Sequence, residues 1–366
     1  MSIGIIGLPQ SGKTTIFNAV TRGHAETARF SAGGTQPNVG VAKVPDARLQ
    51  TLSDMHKSKR IIQAEIDYLD IPGIPEGLGK SKGISGEFLN LLQRVDALLL
   101  VARAFNDPSI PHPEESIDAY RDISTLQMEM TFSDLVILER REQRIKDSFK
   151  GAKTSERGVL EKELQIVQSI REGLEVEIPV RQQNLPVEAV PIVANFQLLT
   201  AKPLIIIFNI GEEEVAERSS MEIEMRESLA APSVEVGALC GSLEMELAQM
   251  TGAEEDEFRN SFDLGESGLT TMVRLSYSVL GLISFLTTGE DETRAWTIEN
   301  GTQAQNAAGK VHSDIQRGFI RAEVVAYDDL VKAGGLTETR RQGTLRAEGK
   351  TYLVKDGDVI NYLFNV

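Results

Sequence analysis

The segment IGIIGLPQSGKTTIFNAV, Ile3 to Val20, decides the fold of the chain. Its apolar start, Ile3 to Ile6, predicts a buried strand, and the residues after the motif predict a helix to about Val20. Between them GLPQSGKT, Gly7 to Thr14, matches the phosphate-loop pattern G-x-x-x-x-G-K-[ST]. The motif therefore has the strand and helix neighbours that a site for a nucleoside triphosphate with Mg²⁺ requires.

Each residue type in this loop has a chemical purpose. Glycines at both ends let the backbone curl, so that its N–H groups and the helix N-terminus face the phosphates. We expect Lys13 to reach the β- and γ-phosphates during catalysis and the Thr14 hydroxyl to ligate magnesium. The remaining nucleotide contacts are predicted at Gln10, Ser11, Gly12 and Thr15. A glycine-rich turn before a core helix is the alternative.

Composition excludes several other classes of protein. The 366 residues carry a formal net charge of −16, which argues against non-specific binding to nucleic acid or an anionic membrane. The single cysteine, Cys240, excludes an intramolecular disulfide and a cysteine-cluster metal site. No basic stretch followed by a long apolar one opens the chain, and no run approaches the ~18 apolar residues of a spanning helix. We therefore expect a cytoplasmic location, no membrane partner and no sequence-specific DNA partner.

Further apolar runs predict the rest of an α/β fold. These runs are rich in β-branched residues and alternate with helix-length segments, which is typical of a mostly parallel sheet covered by helices. They lie at Ile66 to Ile71, Ala97 to Ala102, Leu204 to Phe208 and Val234 to Leu239. Residues Met128 to Arg171 lack proline and predict two long helices in an antiparallel, coiled-coil hairpin.

From Thr293 onward, short strand-like pieces with glycine-containing turns predict a small α+β domain. The pieces are Arg294 to Ile298, Phe319 to Val325, Thr351 to Val354 and Val359 to Phe364. We therefore predict a nucleotide-binding domain at 1–127 and 184–289, an inserted helical hairpin at 128–183, and a C-terminal domain at 290–366.

Downstream residues complete a hydrolase pattern. DIPG, Asp70 to Gly73, follows the second long strand, where Asp70 can hold a magnesium-bound water and the Gly73 N–H can meet the γ-phosphate. Thr35, in a polar segment, is the candidate for a second magnesium-ligating hydroxyl, with a plain loop residue as the alternative.

The fourth strand ends in FNIGEEE, which gives Asn209 and Glu212 an N-x-x-E arrangement where guanine-selective proteins carry Asn-Lys-x-Asp. An Asp there pairs with two guanine N–H donors, whereas adenine offers one acceptor and one amino donor. Ile210 also lacks the methylene stem that a lysine places beside the base. These residues argue against selectivity for guanine. The alternative is that Asn209 caps the strand and Glu212 belongs to an acidic run.

Taken together, these residues resemble one family. The segments GLPQSGKTTIFNAVT, TQPNVGVAKVPDARL, DIPG, TAKPLIIIFNIGE, RAWTIENGTQAQNAAGKVHSDIQRGFIRAEV and EGKTYLVKDGDVINYLFNV look like those of the YchF/Obg-like ATPases, in the Obg branch of phosphate-loop GTPases. The resemblance spans the chain. It implies a C-terminal TGS domain with a ubiquitin-like β-grasp fold, ATP hydrolysis in preference to GTP, and binding to the ribosome, with large-subunit RNA and protein as partners.

The resemblance also implies roles for individual residues. By position, Asn209 and Ile210 contact the base, and Cys240, Gly241 and Ser242 form a second base-side loop. Many phosphate-loop relatives place a water-orienting Gln directly after D-x-x-G, but this chain has Ile74, a substitution that the family shares. The resemblance instead points to His112, in FNDPSIPHPEE, as the catalytic group, which would either orient water or contact the γ-phosphate once its loop closes. A solvent-exposed loop histidine is the alternative.

The chain departs from the family at two places. Gln10-Ser11 stands where the family has Asn-Val, and Gln10 is longer than the Asn that helps hold potassium, so potassium stimulation is not predicted. Lys80 and Lys82 lie in the altered segment after Gly73, and we hypothesise that they modulate its closure. Three functions remain open: an ATPase that acts as a nucleotide-gated switch on the ribosome, a GTPase of the same fold, and a nucleotide-controlled adaptor with negligible turnover.

Overall fold

The computed structural model describes residues 1–23, 37–71, 84, 86–151 and 153–365. Predictions on the following residues lie outside these ranges: Thr35, Gly73, Ile74, Lys80 and Lys82.

The strands are β1 (Ser2–Ile6), β2 (Asn38–Lys43), β3 (Ile61–Ile62), β4 (Glu65–Asp70), β5 (Ala97–Arg103), β6 (Leu204–Asn209), β7 (Val234–Leu239), β8 (Leu282–Thr288), β9 (Thr293–Glu299), β10 (Phe319–Ala326), β11 (Arg346–Glu348) and β12 (Asp358–Phe364).

The α-helices are α1 (Lys13–Thr21), α2 (Ala47–His56), α3 (Gly86–Arg94), α4 (Ala119–Ser148), α5 (Thr154–Glu175), α6 (Val190–Phe196), α7 (Arg218–Leu229), α8 (Gly241–Leu247), α9 (Gly252–Phe262), α10 (Gly268–Leu280), α11 (Ala304–Val311), α12 (Ser313–Arg317), α13 (Tyr327–Ala333) and α14 (Leu336–Gln342).

The chain folds into two compact units, Met1–Gly40 with Asp67–Leu275 and Val41–Ile66 with Ser276–Val366. The second unit thus takes in a segment that the sequence analysis gave to the nucleotide-binding domain. One contact that joins this segment to the C-terminal part of the unit is the hydrogen bond from the Arg48 guanidinium to Asp356, at 2.8 Å. Strand β3 also pairs in parallel with β9. The predicted domain boundaries themselves stay a prediction.

The first sheet has the strand order β2-β4-β1-β5-β6-β7. Strand β1 pairs in parallel with β4 and β5, and the β5–β6 and β6–β7 pairs are also parallel. Every residue of β5 and β6 is buried, which is why each strand is apolar up to its last residue, Arg103 in β5 and Asn209 in β6. The predicted α/β fold with a mostly parallel sheet is confirmed, and its strands begin and end within about one residue of their predicted limits.

The hairpin consists of α4 and α5, which pack through a buried apolar cluster that includes Leu138, Ile145 and Val167. Helix α4 begins at Ala119, well before the predicted Met128. The reason is an N-cap: the Asp118 carboxylate accepts a hydrogen bond from the Arg121 backbone N–H at 3.0 Å.

A buried carboxylate joins α4 to the chain just before β6. Asp134 is fully buried, and its oxygens accept hydrogen bonds from the Leu199 N–H at 2.9 Å and from the Thr200 N–H at 2.7 Å and hydroxyl at 2.6 Å. Burial raises the pKa of Asp134 to about 6, although these hydrogen bonds act in the opposite direction. The first hairpin helix is therefore attached to the sheet by specific polar contacts as well as by apolar packing.

In the second unit, the sheet order is β11-β10-β12-β8-β9-β3. Its core contains Phe285, Ile298, Phe319 and Tyr362, on which the alanine-rich face of α11 packs. The strand predicted at Thr351 to Val354 is wrong. Strand β11 (Arg346–Glu348) is the short strand of this region, and it pairs with β10. Leu353 makes only a single bridge, with Gln303, because turns flank it on both sides.

Among the described residues, no helix combines the length and the apolar content that a membrane crossing requires.

Replacing Asp134 by Ala should lower the free energy of unfolding by about 3 kcal/mol, because the N–H groups of Leu199 and Thr200 lose their acceptor in a buried place. Urea denaturation followed by circular dichroism measures this change. The matched control is Asp147→Ala on the same helix, whose side chain is 55% exposed and which should change stability by less than about 0.5 kcal/mol. Equal effects of both substitutions would contradict a stabilising role for the buried hydrogen bonds of Asp134.

Candidate nucleotide-binding site

The predicted site residues lie where the parallel strands of the first sheet end. Because the carboxyl ends of parallel strands share one edge, residues far apart in sequence meet there. Gly7 follows β1, Asp70 ends β4, Arg103 ends β5, Asn209 ends β6 and Cys240 follows β7.

The phosphate loop has a backbone that only glycine permits at two positions. A Cβ on Gly7 would lie 2.5 Å from the Val101 carbonyl oxygen, and a Cβ on Gly12 would lie 2.1 Å from the Asn209 amide nitrogen. Gly12 also has a φ of 89°, and Gln10 a φ of 63°, so both occupy the left-handed region. The loop is therefore pressed against β5 and β6, and its two glycines are required for packing.

Lys13 opens α1 and is buried, and its ammonium donates to the carbonyl oxygens of Gly7 and Leu8, both at 3.1 Å. Burial lowers the pKa of Lys13 to about 8, and the nearby Asp70 offsets part of this effect. The Lys13 ammonium thus lies inside the phosphate loop, where a bound phosphate would restore the pKa that burial lowers.

Two of the residues predicted to hold magnesium, Thr14 and Asp70, come together, while Thr35 lies outside the described residues. The Thr14 hydroxyl donates to the Asp70 carboxylate at 2.7 Å, and the Asn38 amide nitrogen lies 3.4 Å from the same oxygen. Hydroxyl and carboxylate oxygens are the ligands that Mg²⁺ prefers, with phosphates and waters completing the shell, so the pair fits this ion. Within the described ranges no group of three or more His, Cys, Asp or Glu could hold a metal by itself.

Asn209 connects the two loops beside it. Its amide nitrogen donates to the Ser11 carbonyl at 3.0 Å, and its amide oxygen accepts from the Gly241 N–H at 3.0 Å. The phosphate loop and the predicted second base-side loop are thereby held against the end of β6. The amide carries a second N–H, which is the group of Asn209 that can donate to a base.

The prediction that Ile210 contacts the base needs correction at the level of atoms. Its side chain is 1% exposed and packs in the core of the first unit, because it extends the apolar run of β6. Its N–H donates to the Leu239 carbonyl at 3.0 Å. Among the described residues no backbone N–H donates to its carbonyl oxygen, which is therefore the polar atom of Ile210 that can meet a base.

The other base-side residues differ in exposure. Glu212 is exposed at the start of a short 3₁₀ helix, Glu212–Glu217. Cys240 is buried, and its Sγ lies 3.4 Å from the Ser242 hydroxyl. Burial raises the pKa of the Cys240 thiol, which therefore stays neutral and acts as a small apolar group.

His112 is held within the protein, so the alternative of a solvent-exposed loop side chain is wrong. Its side chain is 4% exposed, and its Nε2 lies 2.8 Å from an oxygen of Asp122. Its Nδ1 accepts from the Glu114 N–H at 3.1 Å. Since Nδ1 is an acceptor, the proton is on Nε2 and points to Asp122.

Sequence reasoning missed two residues at the end of β5. Arg103 is 1% exposed and donates to the carbonyls of Phe105, Asp107 and Ile110 at 3.0 to 3.3 Å, which shapes the loop that carries His112. The Phe105 ring lies 3.9 Å from the place of a Cβ on Gly12, so it borders the phosphate loop. Their position at the carboxyl end of a parallel strand is the signal that could have found them.

This fold and this site define a phosphate-loop nucleotide-binding protein. Two relatives named "Ribosome-binding ATPase YchF" match the chain over its length: that of Bacillus subtilis (strain 168) is 39% identical over the whole of both chains, and that of Escherichia coli O157:H7 is 34% identical over 99% of each. The chain belongs to the YchF family.

Family models and a solved structure agree with this assignment. Residues 2–140 match MMR_HSR1, described as "50S ribosome-binding GTPase", and residues 282–365 match YchF-GTPase_C, described as "Protein of unknown function (DUF933)". The structure titled "Structure of the Schizosaccharomyces pombe YchF GTPase" has a TM-score of 0.85 and 28% identity, over 99% of this chain and 97% of that one.

The lowered pKa of Lys13 predicts that nucleotide affinity falls at alkaline pH. Below pH 8 the ammonium is charged in the free and bound states, whereas above pH 8 the free protein must take up a proton to bind phosphate. The Kd for MgATP should therefore rise about tenfold between pH 7 and pH 9, with uptake of about half a proton at pH 8. Calorimetry in buffers of different ionisation enthalpy measures both quantities. Lys59→Met, at an exposed site, should leave the profile unchanged, and a flat profile would contradict the prediction.

Proposed function

We propose that this protein is a Mg²⁺-dependent ATPase that prefers ATP to GTP and binds the ribosome in a nucleotide-dependent way. The observation that carries the proposal is the joined site of Lys13, Thr14, Asp70 and Asn209 in a chain of the YchF family. The bacterial relatives carry "ATPase" in their names, while the fission yeast structure carries "GTPase". These names do not decide between adenine and guanine.

The atoms around Asn209 favour adenine. The carbonyl oxygen of Ile210 is an acceptor, which suits the N6 amino donor of adenine and repels the O6 acceptor of guanine. Glu212 is longer by one methylene than the Asp that pairs with the two guanine N–H donors. Binding of the wrong base therefore leaves polar atoms unpaired, which costs more than a missing apolar contact.

The residues at the carboxyl ends of the parallel strands have separate roles in the proposed catalysis. The backbone N–H groups of the phosphate loop and Lys13 bind and orient the phosphates, and Thr14 and Asp70 hold Mg²⁺, which neutralises charge on the phosphate oxygens when bound. His112 orients the attacking water in place of the Gln that Ile74 replaces. In the present arrangement both ring nitrogens of His112 are occupied, so turnover requires that this side chain move.

The same observation favours a second candidate, a nucleotide-controlled adaptor with negligible turnover. If His112 stays bound to Asp122, the nucleotide can still switch the conformation while hydrolysis stays slow. A GTPase of the same fold is the other alternative.

For the partner, we propose the large ribosomal subunit, through its RNA and protein, in the cytoplasm. Exposed cations lie around the end of the hairpin, at Arg144, Lys150, Lys153 and Arg157. They suit contact with phosphates, although the chain as a whole is acidic. We propose the C-terminal unit as a TGS domain that shares in this binding.

Separate titrations with MgATP and MgGTP test the nucleotide. ATP should bind at least about tenfold more tightly, since each unpaired polar group costs ~1–3 kcal/mol. Glu212→Asp should shift the ratio of the two Kd values toward GTP by about tenfold, and Glu213→Asp, at the exposed neighbour, should not. Tighter binding of GTP by the parent protein would overturn the assignment of the base.

Co-sedimentation with ribosomes tests the switch. The fraction that pellets with a non-hydrolysable ATP analogue and with ADP should differ by about fivefold or more, a coupling of ~1 kcal/mol. Lys13→Ala, which removes the phosphate contact, should pellet equally in both conditions. Equal pelleting of the parent protein in every nucleotide state would contradict gating, and no pelleting would contradict the ribosome as partner.

A further inference from the structure

The predicted catalytic histidine and the hairpin meet at one carboxylate. Asp122 lies in the first turn of α4, its side chain is 3% exposed, and one of its oxygens accepts the Nε2 proton of His112. The other oxygen accepts hydrogen bonds from the Arg121 guanidinium at 2.9 and 3.2 Å. The carboxylate is thus fixed on the helix while it binds the histidine.

A second contact holds the same loop to the same helix turn. Arg121 donates to the carbonyl of Ser116 at 2.7 Å and to its hydroxyl at 2.7 Å. The loop between His112 and Asp118 is therefore attached to α4 at two points, and its position follows that of the helix.

Helix α4 continues without interruption into the hairpin. It has 30 residues, about 45 Å, and contains neither proline nor glycine, so nothing in its sequence introduces a kink. Along its course Met130 packs in the core of the first unit, the Ser133 hydroxyl accepts from the Ile84 N–H at 2.5 Å, and Leu138 packs in the hairpin. A shift of the whole helix on the first unit would therefore move Asp122 as well.

We propose that Asp122 is a positioning residue that keeps His112 from acting on water until the hairpin binds its partner and shifts α4. This proposal rests on the proposed ATPase function. While Asp122 holds Nε2 and the Glu114 N–H occupies Nδ1, His112 has no nitrogen with which to orient water. A hydrogen bond of 2.8 Å is lost when its atoms separate by about 1 Å, so a small movement of α4 frees the ring.

Turnover of ATP by the full-length protein without ribosomes tests the proposal. Asp122→Ala should raise turnover about tenfold, which corresponds to the loss of ~1.4 kcal/mol of stabilisation of the bound histidine. Adding His112→Ala should abolish the gain, because the released ring is what acts. Ribosomes should stimulate the parent protein more than Asp122→Ala.

Asp118→Ala is the matched control, since it removes the N-cap of the same helix without touching His112. An equal gain from Asp118→Ala would attribute the effect to fraying of α4 and overturn the proposal. Turnover by Asp122→Ala at the level of His112→Ala would also overturn it, because Asp122 would then assist catalysis.

Nuclear magnetic resonance of ¹⁵N-labelled histidine gives a readout that does not depend on turnover. The chain has four histidines, and the His112→Ala spectrum identifies the signal of His112. That signal should show the Nε2–H tautomer in the parent protein and a mixture of tautomers in Asp122→Asn. A parent protein without ATPase activity would refute the proposed function alone, whereas an unchanged His112 signal in Asp122→Asn would refute the role of Asp122.

Discussion

The amide of Asn209 is the interaction on which the site depends. Its two hydrogen bonds, to the Ser11 carbonyl and from the Gly241 N–H, hold three strand-end segments at fixed distances. The close approach is possible only because residue 12 lacks a side chain, since a Cβ there would overlap the amide nitrogen. The phosphate side and the base side of the pocket are thus one structure, and the buried strands β5 and β6 beneath them supply its rigidity.

Helix α4 has a corresponding importance for the parts of the first unit that surround the site. Three carboxylates on or before it have different tasks: Asp118 caps its start, Asp122 binds His112, and Asp134 accepts three hydrogen bonds from Leu199 and Thr200. Asp122 and Asp134 are buried, and buried carboxylates are costly unless their oxygens accept hydrogen bonds, so these two hold the helix in one position relative to the sheet. A movement of the helix relative to the sheet must break such contacts, so it is a discrete change of position and not a gradual one.

Charge is distributed unevenly along the chain. The net charge of −16 argues against indiscriminate binding to nucleic acid, yet cations such as Arg144 and Arg157 are exposed on the hairpin. At the site itself, a buried ammonium with a pKa of about 8 and the carboxylate of Asp70 prepare the loop for phosphate and Mg²⁺. Burial lowers the pKa of Lys13, and a bound anion raises it again. Nucleotide binding and protonation of Lys13 are therefore interdependent.

The sequence by itself determined the parallel sheet, the phosphate loop and the family, because strand burial and loop chemistry are written in local runs of residues such as Ile3–Ile6 and Gly7–Thr14. It also pointed to Thr14 and Asp70 as residues of one magnesium site, and the structure joins them by a hydrogen bond. Only the tertiary structure decided that the Ile210 side chain is core, that residues 41–66 pack with the C-terminal unit, and that His112 is bound by Asp122. These outcomes depend on which side of the backbone a residue faces and on partners remote in sequence, and neither is encoded in a local pattern.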